Sequence, residues 1–392
     1  MKKNDLVIGV PRETDLSCRC VSLIPQTVKT LAAEGYPLIV QEKAGEKAYY
    51  PDSFYAEGGA KILPDAESVY GQADIVFKIR PPRMNEQSGK HELELMKEGA
   101  TIFSFLTPTQ DRRIVEKLRE RKLTGFSMEL IPRLSRAQSM DALTSLGTVM
   151  GYRAAIIASN LLGKFLPLLM TPGGTIQPAN VLVVGAGVAG LQAIATCKRL
   201  GAKVEAFDTR PAVKEQVESL GARFIEMELP EDVETKYGYA KEASPEFLEK
   251  ETEAISSRLP RTDIVITTAL VYGRRAPLLI SEDMIRMMQP GSVVVDLAAE
   301  QGGNCELSEP GKTLEKHGVI IYGCRDLPSQ LPQHTSLLYS RNVVNAYHNL
   351  YAAEDDTVDL ADEINANALA TYKGEIVSEL VKSFFLEYGD KS

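Results

Sequence analysis

The sequence predicts an α/β fold with two Rossmann-like parallel-sheet domains joined by long helices. In both halves of the chain, short apolar strand patterns alternate with helical patterns, which is typical of parallel sheets. Between the halves, Ala142–Leu162 lacks proline and carries apolar residues on most faces, which predicts a long linking helix. A chain of 392 residues is long enough for two domains of ordinary size.

The first half supplies the strands of one domain. They are predicted at Leu6–Val10, Pro37–Val40, Ile75–Lys78, Thr101–Phe105 and Leu123–Met128. A helix is predicted from Pro25 to Glu34. Because this half lacks an obvious final element, we expect the C-terminal segment, with a helix at Leu337–Leu350, to pack back on it. The expected N-terminal domain is therefore discontinuous and comprises residues 1–140 and about 328–392.

The second half predicts a domain of residues 141–327, which includes the linking helix. Its strands are predicted at Val181–Val184, Val204–Phe207, Arg223–Glu226, Asp263–Thr267, Ser292–Asp296 and Val319–Tyr322. An acidic stretch from Met227 to Ser244 is longer than the usual strand-to-helix connection of about 2–6 residues. Composition alone does not decide whether this stretch is a lid over a ligand or a solvated loop.

A glycine-rich turn follows the first strand of this second domain. Gly185, Gly187 and Gly190 form a G-x-G-x-x-G pattern that leads into a helix. The first glycine permits the turn, the second lets the backbone approach a pyrophosphate, and the third lets helix and strand pack closely. We therefore predict that Gly185, Gly187, Val188, Ala189 and Gly190 bind a dinucleotide at the helix N-terminus. The alternative is a turn whose small residues serve packing alone.

Asp208 ends the next strand, near the position where a carboxylate binds the ribose hydroxyls of adenosine. A carboxylate there repels a 2′-phosphate, so the sequence favours NAD over NADP. Thr209 and Arg210 are candidate cofactor-binding residues beside it, and Arg210 weakens the preference because an arginine could receive the phosphate. The alternative for Asp208 is an ordinary helix N-cap before Pro211.

Composition excludes several other classes of protein. A net charge of −9 without a concentrated basic face argues against nucleic-acid binding. Five cysteines form no disulfide framework, and Cys18 and Cys20 are too close for metal-ligand spacing, so we expect reduced thiols, no metal and a cytoplasmic setting. The N-terminus lacks a signal-peptide pattern, and no apolar run of about 18 residues predicts a membrane span.

Two motifs carry a specific resemblance: Arg133-Leu-Ser-Arg-Ala-Gln-Ser-Met-Asp-Ala-Leu and Gly185-Ala-Gly-Val-Ala-Gly-Leu-Gln-Ala-Ile-Ala. They closely resemble the NAD(H)-binding domain of the proton-translocating NAD(P) transhydrogenases, and the match covers nearly the whole chain. The resemblance implies two lobes with an NAD cleft between them, and a homodimer. It implies docking on NADP-binding and transmembrane components, hence a peripheral place on the cytoplasmic face of the inner membrane. Hydride then passes between NADH here and NADP on the partner.

The same resemblance assigns roles to individual residues. The predicted catalytic residues, expected around the nicotinamide, are Arg133, Gln138 and Asp141. Asp141 is expected to bind the carboxamide, and Gln138 is expected to point towards the partner's nucleotide. Thr144 stands where the family has serine, and Tyr239 matches the tyrosine of a mobile loop. Ala269 and Leu270 belong to a matching stretch, whereas Tyr272 and Arg274 depart from the family pattern. From the residues alone, the Arg133 loop is a helix N-terminus capped by Ser139 or Asp141.

The main alternative is an NAD-dependent amino-acid dehydrogenase of the alanine dehydrogenase type. Such an enzyme needs a proton acceptor beside the reacting carbon. Thr107 and Glu300 stand where that family has its histidine and aspartate, which disfavours this alternative. Arg19 and Lys78 match its substrate-binding arginine and lysine, so the old cleft is expected to survive structurally. A nucleotide sensor without catalytic activity is a third possibility, although it would have no evident use for the Arg133–Asp141 loop.

Overall fold

The computed structural model describes residues 6–227, 245–270, 275–352 and 358–387. The chain divides into two compact units, which are Met1–Leu146 with Pro328–Ser392, and Gly147–Leu327. We call them unit 1 and unit 2. Each unit contains one large sheet, and the two sheets consist mainly of parallel strands. The predicted α/β fold class is therefore confirmed.

The strands and helices are numbered in chain order. The strands are β1 (Ile8–Val10), β2 (Leu38–Gln41), β3 (Lys61–Leu63), β4 (Ile75–Phe77), β5 (Met84–Asn85), β6 (Lys90–His91), β7 (Thr101–Ser104), β8 (Thr124–Ser127), β9 (Leu169–Thr171), β10 (Gly174–Ile176), β11 (Asn180–Val184), β12 (Lys203–Phe207), β13 (Arg223–Phe224), β14 (Ile264–Thr267), β15 (Val293–Asp296), β16 (Thr313–Lys316), β17 (Val319–Gly323), β18 (Leu369–Tyr372) and β19 (Glu375–Ile376). The helices are α1 (Pro25–Ala33), α2 (Asp52–Glu57), α3 (Ala66–Gln72), α4 (Glu92–Leu95), α5 (Arg112–Glu120), α6 (Ala142–Leu161), α7 (Val188–Arg199), α8 (Lys214–Ser219), α9 (Pro245–Ser256), α10 (Glu282–Arg286), α11 (Pro332–Leu350), α12 (Glu363–Ala368) and α13 (Glu379–Glu387).

Unit 1 is built on a sheet of order β19-β18-β8-β7-β4-β1-β2-β3. The strands from β8 to β3 are parallel, whereas β18 pairs antiparallel with β8. Phe77 of β4 and Phe103 of β7 pack edge-on against Tyr347 of α11, with ring centroids 5.8 and 6.2 Å away. The buried aromatic cluster therefore ties α11, from the end of the chain, to strands from its beginning.

Unit 2 is built on a sheet of order β13-β12-β11-β14-β15-β17-β16. All neighbours are parallel except the edge strand β16, which is antiparallel to β17. The order reverses direction at β11, so the carboxyl ends of β11 and its neighbours β12 and β14 form a topological switch point. Ligands of open α/β sheets bind at such a point.

The linking helix α6 contacts the start of α7 through small residues. A Cβ on Gly151 would lie 2.0 Å from the carbonyl oxygen of Ala189, and one on Gly147 would lie 3.3 Å from Val188. Only glycine permits the closer of these approaches.

Across the described part of the chain, no helix combines the length and the apolar character that a membrane crossing requires.

Several elements differ from their predicted form. The helix predicted at Leu337–Leu350 begins earlier, at Pro332, because proline is well suited to the first helical position. The turn-forming segment before β11 contains a two-stranded hairpin, β9 with β10, in which Met170 is 81% exposed. The two strands are only three residues long and flank the turn formers Pro172 and Gly173, so the sequence pattern indicates a turn and does not reveal them.

Candidate functional site

The glycine turn of unit 2 has the geometry that the sequence predicts. Gly185 adopts a φ of +96°, a conformation that favours glycine, and its N–H donates to the Phe207 carbonyl at 2.8 Å. A Cβ on Gly190 would lie 1.9 Å from the Gly185 carbonyl oxygen. Strand β11 and helix α7 therefore approach too closely for any side chain at this position.

The N-terminus of α7 is open at Gly187. Gly187 is the N-cap residue and supplies no side chain to the first turn, which begins with Val188 and Ala189. The nearest atom to a Cβ built on Gly187 is Arg210 Nη2, at 3.9 Å. Backbone N–H groups at a helix N-terminus with open space in front suit an anion, so these residues fit the pyrophosphate of a dinucleotide.

The Asp208 carboxylate lies at the end of β12 and is saturated with hydrogen bonds. Oδ1 accepts from the backbone N–H and from Nε of Arg210, both at 2.9 Å. Oδ2 accepts from the Ala186 N–H at 2.7 Å and from Arg210 Nη2 at 3.0 Å. The side chain is 6% exposed and that of Arg210 19%. Since a carboxylate offers about four acceptor sites, a ribose hydroxyl must replace one of these donors.

The predicted alternative for Asp208, a helix N-cap, is not what forms. The 3-10 turn Pro211–Val213 has Arg210 at its N-cap position and receives no side-chain cap. Asp208 instead holds the Ala186 backbone and the Arg210 side chain, and Thr209, the next residue in the sequence, is half-buried. The guanidinium is the one partner of Asp208 on a flexible side chain, so it is the partner that a nucleotide can displace.

Glu251, on α9, is a further ionisable group beside this site. It is 8% exposed, and burial together with the charge of Asp208 raises the pKa of its carboxyl to about 7. Sequence reasoning missed this residue. It belongs to an ordinary charged helical pattern, and only the tertiary structure brings it within electrostatic range of Asp208.

The segment after β14 is held by two polar side chains, the buried Asn304 and the half-buried Thr268. Asn304 is fully buried, accepts from the Ala269 N–H at 3.0 Å, and donates to the Ala269 and Pro277 carbonyls at 2.8 Å. The Thr268 hydroxyl donates to the Gly185 carbonyl at 2.9 Å. Ala269 and Leu270 therefore follow a fixed strand end beside the glycine turn, and Leu270 is 42% exposed.

Asp296, at the end of β15, is a second saturated carboxylate. It is fully buried and accepts from the Ala298 and Cys305 N–H groups at 2.9 and 3.1 Å. The hydroxyls of Thr267 and Ser308 donate to it as well. All four donors belong to the protein framework, so this carboxylate fixes the loops after β14 and β15. Sequence reasoning noted the stretch but not this role.

The predicted nicotinamide loop belongs to unit 1 and is anchored at several points. Residues Ser135–Met140 form a 3-10 turn, in which Ala137 and Met140 are buried. The Ser139 carbonyl accepts from Asn342 Nδ2 at 2.9 Å. Arg136 forms an ion pair with Asp362 at 2.8 Å. This anchoring leaves Arg133 and Gln138 exposed on a fixed turn.

Asp141 caps helix α6. Its Oδ1 accepts from the Thr144 N–H at 2.8 Å, and its Oδ2 accepts from the Thr144 hydroxyl at 2.6 Å. Of the two caps considered from the sequence, Asp141 is the one that forms. Each carboxylate oxygen has one of these partners, so acceptor capacity remains for an amide donor. Capping and the predicted contact with a carboxamide are therefore chemically compatible.

Three residues singled out from the sequence lie outside the described residues. They are Tyr239 of the predicted mobile loop, and Tyr272 and Arg274 of the divergent segment. Their predicted roles stay predictions. No group of three or more His, Cys, Asp or Glu side chains within the described ranges is arranged to hold a metal ion.

Lys78 does not line an open substrate cleft, contrary to the expectation from its match to a substrate-binding lysine. It is fully buried and pairs with Glu13 at 2.7 Å and Glu92 at 3.4 Å. Although burial opposes the charged form, these two carboxylates raise the pKa of Lys78. Arg19 is exposed and donates to the Tyr49 hydroxyl at 2.9 Å. The lysine is thus committed to an internal ion pair.

Thr107 and Glu300, which stand where the dehydrogenases have their histidine and aspartate, both form contacts that hold neighbouring backbone or side chains. The Thr107 N–H donates to the buried Glu129 carboxylate at 2.5 Å, and burial raises the pKa of Glu129 to about 6. The Glu300 carboxylate accepts from the Asp326 N–H at 3.1 Å. Thr107 has no group that can take up a proton at neutral pH. Glu300 is already engaged in holding a neighbouring loop.

Comparison with known proteins gives a consistent result over the whole chain. Residues 9–150 match the N-terminal domain and residues 154–379 the C-terminal domain of the model described as alanine dehydrogenase/PNT. The chain is 45% identical over 374 residues to an NAD(P) transhydrogenase alpha subunit of Rhodospirillum rubrum, covering 94% of this chain and 97% of that protein.

Solved structures agree in fold. A crystal structure of transhydrogenase from Sinorhizobium meliloti matches with a TM-score of 0.83 and 37% identity, covering 95% of this chain and all of that chain. An L-alanine dehydrogenase matches with a TM-score of 0.78 and 25% identity, covering 97% and 99% of the two chains. Similarity is thus higher to the transhydrogenase than to the dehydrogenase, in both fold and sequence.

Proposed function

Because the chain belongs to the alanine dehydrogenase/PNT family, we propose that it is the NAD(H)-binding component of a proton-translocating NAD(P) transhydrogenase. In this proposal it transfers hydride between NADH and NADP⁺ held on a partner component, and the transfer is coupled to proton movement across a membrane. A relative 45% identical over almost its full length carries the name of a transhydrogenase alpha subunit. The structural observation that best supports nucleotide binding is the uncovered N-terminus of α7 at Gly187, where no side chain blocks the backbone.

The alanine dehydrogenase alternative is disfavoured by chemistry. Oxidation of an amino acid requires a group that accepts a proton beside the reacting carbon. Thr107 offers only a hydroxyl, and the Glu129 carboxylate next to it binds the Thr107 N–H. Hydride exchange between two nicotinamides needs no such proton acceptor. The residues at these positions therefore suit transfer between nucleotides better than oxidation of an amino acid.

We propose that this component selects NADH over NADPH through Asp208. The carboxylate lies at the end of β12, where the ribose hydroxyls of adenosine bind in this fold, and a 2′-phosphate would bring a second negative charge to it. Arg210 covers the carboxylate in the structure. When NADH binds, the guanidinium gives up part of its contact with Asp208, and the ribose hydroxyls donate in its place.

We propose that Gln138 acts where the two nucleotides meet. It is exposed on a turn whose neighbours Ala137 and Met140 are buried, so its position is fixed while its amide stays accessible. Arg133 and Asp141 complete the proposed nicotinamide contacts. The second nucleotide arrives on an NADP-binding component, and a transmembrane component holds the assembly on the cytoplasmic face of the inner membrane.

We also propose a homodimer formed through the β9–β10 hairpin. Its strands pair only with each other within the described structure, and Leu168, Met170 and Ile176 are 49%, 81% and 38% exposed. Apolar surface of this kind favours association. We expect Met170→Asp to convert the dimer to a monomer in sedimentation equilibrium, whereas a wild-type chain that is monomeric would contradict the assignment.

The functional proposal is tested by mixing the protein with the NADP-binding component of a transhydrogenase. Hydride transfer from NADH to an NADP analogue is followed in a single turnover. We expect Gln138→Asn, which shortens the reach by one methylene, to lower the transfer rate about 10²-fold because near-attack geometry is lost. NADH affinity should change little. Gln110→Asn, at another exposed glutamine of unit 1, is the matched control.

Two results would contradict this proposal at different levels. No transfer by the wild-type pair would refute the transhydrogenase assignment itself. Full-rate transfer by Gln138→Asn would leave that assignment intact and remove the role given to Gln138.

A further inference from the structure

A small cavity in unit 1 brings two cysteines together. It measures about 70 Å³, and Cys18 and Cys20 are among the residues that line it. Both residues are buried, at 3% and 4% exposure, and neither forms a disulfide. A cavity of this volume holds a few water molecules. A small polar reagent therefore fits in the cavity that Cys18 and Cys20 line, whereas a bulky thiol such as glutathione does not.

The backbone around the cysteines is held in place. The N–H of Arg19 donates to the Ser329 hydroxyl at 3.1 Å, and that of Val21 donates to the Ser336 hydroxyl at 3.0 Å. The Cys20 thiol lies 3.7 Å from the Pro328 carbonyl oxygen as a donor. The segment lies outside the helices and strands, and both cysteines line the same cavity.

The cavity is lined by charges of both signs. Arg12, Lys43 and Lys47 line it, together with the carboxylates of Glu13 and Glu46. Glu13 is already paired with the buried Lys78. Cationic groups stabilise a thiolate relative to a thiol, and the thiolate is the reactive form of cysteine. The charge of Arg80 lowers the pKa of Cys18, whereas the charge of Glu13 raises it.

Cys18 differs electrostatically from Cys197, Cys305 and Cys324. A hydrogen bond from the Cys20 side chain holds the pKa of Cys18 below its ordinary value, although burial opposes it. By contrast, burial raises the pKa of Cys197 and of Cys305 to about 12, and it raises that of Cys324 as well. Only the Cys18 thiol is thus biased towards the thiolate among these residues.

We propose that Cys18 and Cys20 form a redox-active dithiol, which a small hydroperoxide entering the cavity converts to an intrachain disulfide. This inference is independent of the nucleotide site. It assigns the Cys-Arg-Cys segment, which the proposed hydride transfer leaves without a role, as a site of reversible oxidation.

The chemistry proceeds in two balanced steps. The Cys18 thiolate attacks one oxygen of the hydroperoxide, an S–O bond forms, and the O–O bond breaks. Cys18 becomes a sulfenic acid, and the leaving oxygen takes up a proton, giving water when the oxidant is hydrogen peroxide. The Cys20 sulfur then attacks the Cys18 sulfur, so that the S–S bond forms and the S–O bond breaks. A second water leaves, and the two thiols have together supplied two electrons.

Peptide mapping of the reduced full-length chain tests the proposal. The protein is treated with hydrogen peroxide in small excess, quenched with N-ethylmaleimide under denaturing conditions, and digested with trypsin. Because trypsin cleaves after Arg19, the disulfide holds two tryptic peptides together until a reductant separates them. We expect this linkage to form at least about tenfold faster than any oxidation of Cys197, Cys305 or Cys324.

Single substitutions separate the two roles. In Cys20→Ser we expect oxidation to stop at the Cys18 sulfenic acid, which dimedone traps. In Cys18→Ser we expect Cys20 to stay reduced, and Cys324→Ser is the matched control that keeps the linkage. Far-ultraviolet circular dichroism checks folding of each variant. If a serine variant does not fold, peptide mapping of the wild-type chain alone decides.

Oxidation of all five cysteines at similar rates would overturn the proposal. So would a Cys18 that proceeds to sulfinic acid without linkage to Cys20, or disulfides that form only between chains.

Discussion

Asp208 directly follows strand β12 and Asp296 ends strand β15 of the same sheet, yet the surroundings of the two carboxylates differ in one respect. Both carboxylates accept four hydrogen bonds. At Asp296 the donors are two backbone N–H groups and two short hydroxyl side chains, and the residue is fully buried. At Asp208 two of the four donors are on the long side chain of Arg210, which is 19% exposed.

The difference shows how one sheet edge can carry both a structural carboxylate and a ligand-binding one. A carboxylate whose donors belong to the backbone cannot exchange them without unfolding the loops that it holds. One whose donors lie on a partly exposed side chain can accept from a ligand instead. The identity and exposure of the donors, more than the number of hydrogen bonds, separate the two functions.

The largest effect is expected from Asp296→Ala. The substitution leaves the buried N–H groups of Ala298 and Cys305 without their acceptor, at a cost of about 1–3 kcal/mol each. We expect the free energy of unfolding to fall by about 2–6 kcal/mol. Urea unfolding followed by circular dichroism measures this, because the chain has no tryptophan. Asp208→Ala is the comparison, and an equal or larger loss there would contradict the distinction.

The next effect concerns pH. Burial and the charge of Asp208 raise the pKa of Glu251 from an ordinary value of 4.5 to about 7. The folded protein therefore keeps this proton at pH values where the unfolded chain has lost it. The resulting stability is complete below about pH 4.5 and is lost as the pH rises to about 7, by at most about 3 kcal/mol.

Replacing Glu251 with glutamine tests this dependence. We expect the urea midpoint of Glu251→Gln to fall less between pH 5 and pH 8 than that of the wild type. Glu253→Gln, at an exposed position of the same helix, should behave as the wild type does. Parallel pH profiles for all three proteins would show that Glu251 carries no raised pKa.

The smallest effect is expected for nucleotide selection. Arg210→Leu removes the cation that could receive a 2′-phosphate and frees acceptor positions on Asp208. We expect the ratio of NADPH to NADH dissociation constants to rise about tenfold, which corresponds to about 1.4 kcal/mol. Titration of nucleotide fluorescence measures both constants. Arg223→Leu, at an exposed arginine of the same unit, is the control. An unchanged ratio in Arg210→Leu would contradict the proposal that a bound nucleotide replaces Arg210 as a hydrogen-bond donor to Asp208.

Much of the fold follows from apolar runs, because a strand buried on both faces requires them. The predicted Val181–Val184 corresponds to the observed strand Asn180–Val184 and the predicted Val204–Phe207 to Lys203–Phe207. The edge strand β16, by contrast, was not predicted. Thr313–Lys316 is largely exposed and polar, and it is defined by its pairing with β17 rather than by its own residues.

The site was predictable only in part. The glycine spacing and Asp208 lie close together in the chain, so local pattern indicates them. Glu251 approaches Asp208 through tertiary structure alone, and no spacing rule relates the two residues. Lys78 shows the converse error, because its match to a known substrate-binding residue did not reveal that Glu13 and Glu92 neutralise it inside the core.

The antiparallel pairing of β18 with β8 has a consequence for synthesis of the chain on the ribosome. Unit 2 is continuous in sequence and can fold as soon as it has emerged. Strand β8 is made before unit 2, whereas its partner Leu369–Tyr372 is made after it. Until then the nascent chain carries an open strand edge, whose unpaired N–H and C=O groups are a template for aggregation. The interval before Leu369 emerges is therefore when this protein depends most on chaperones.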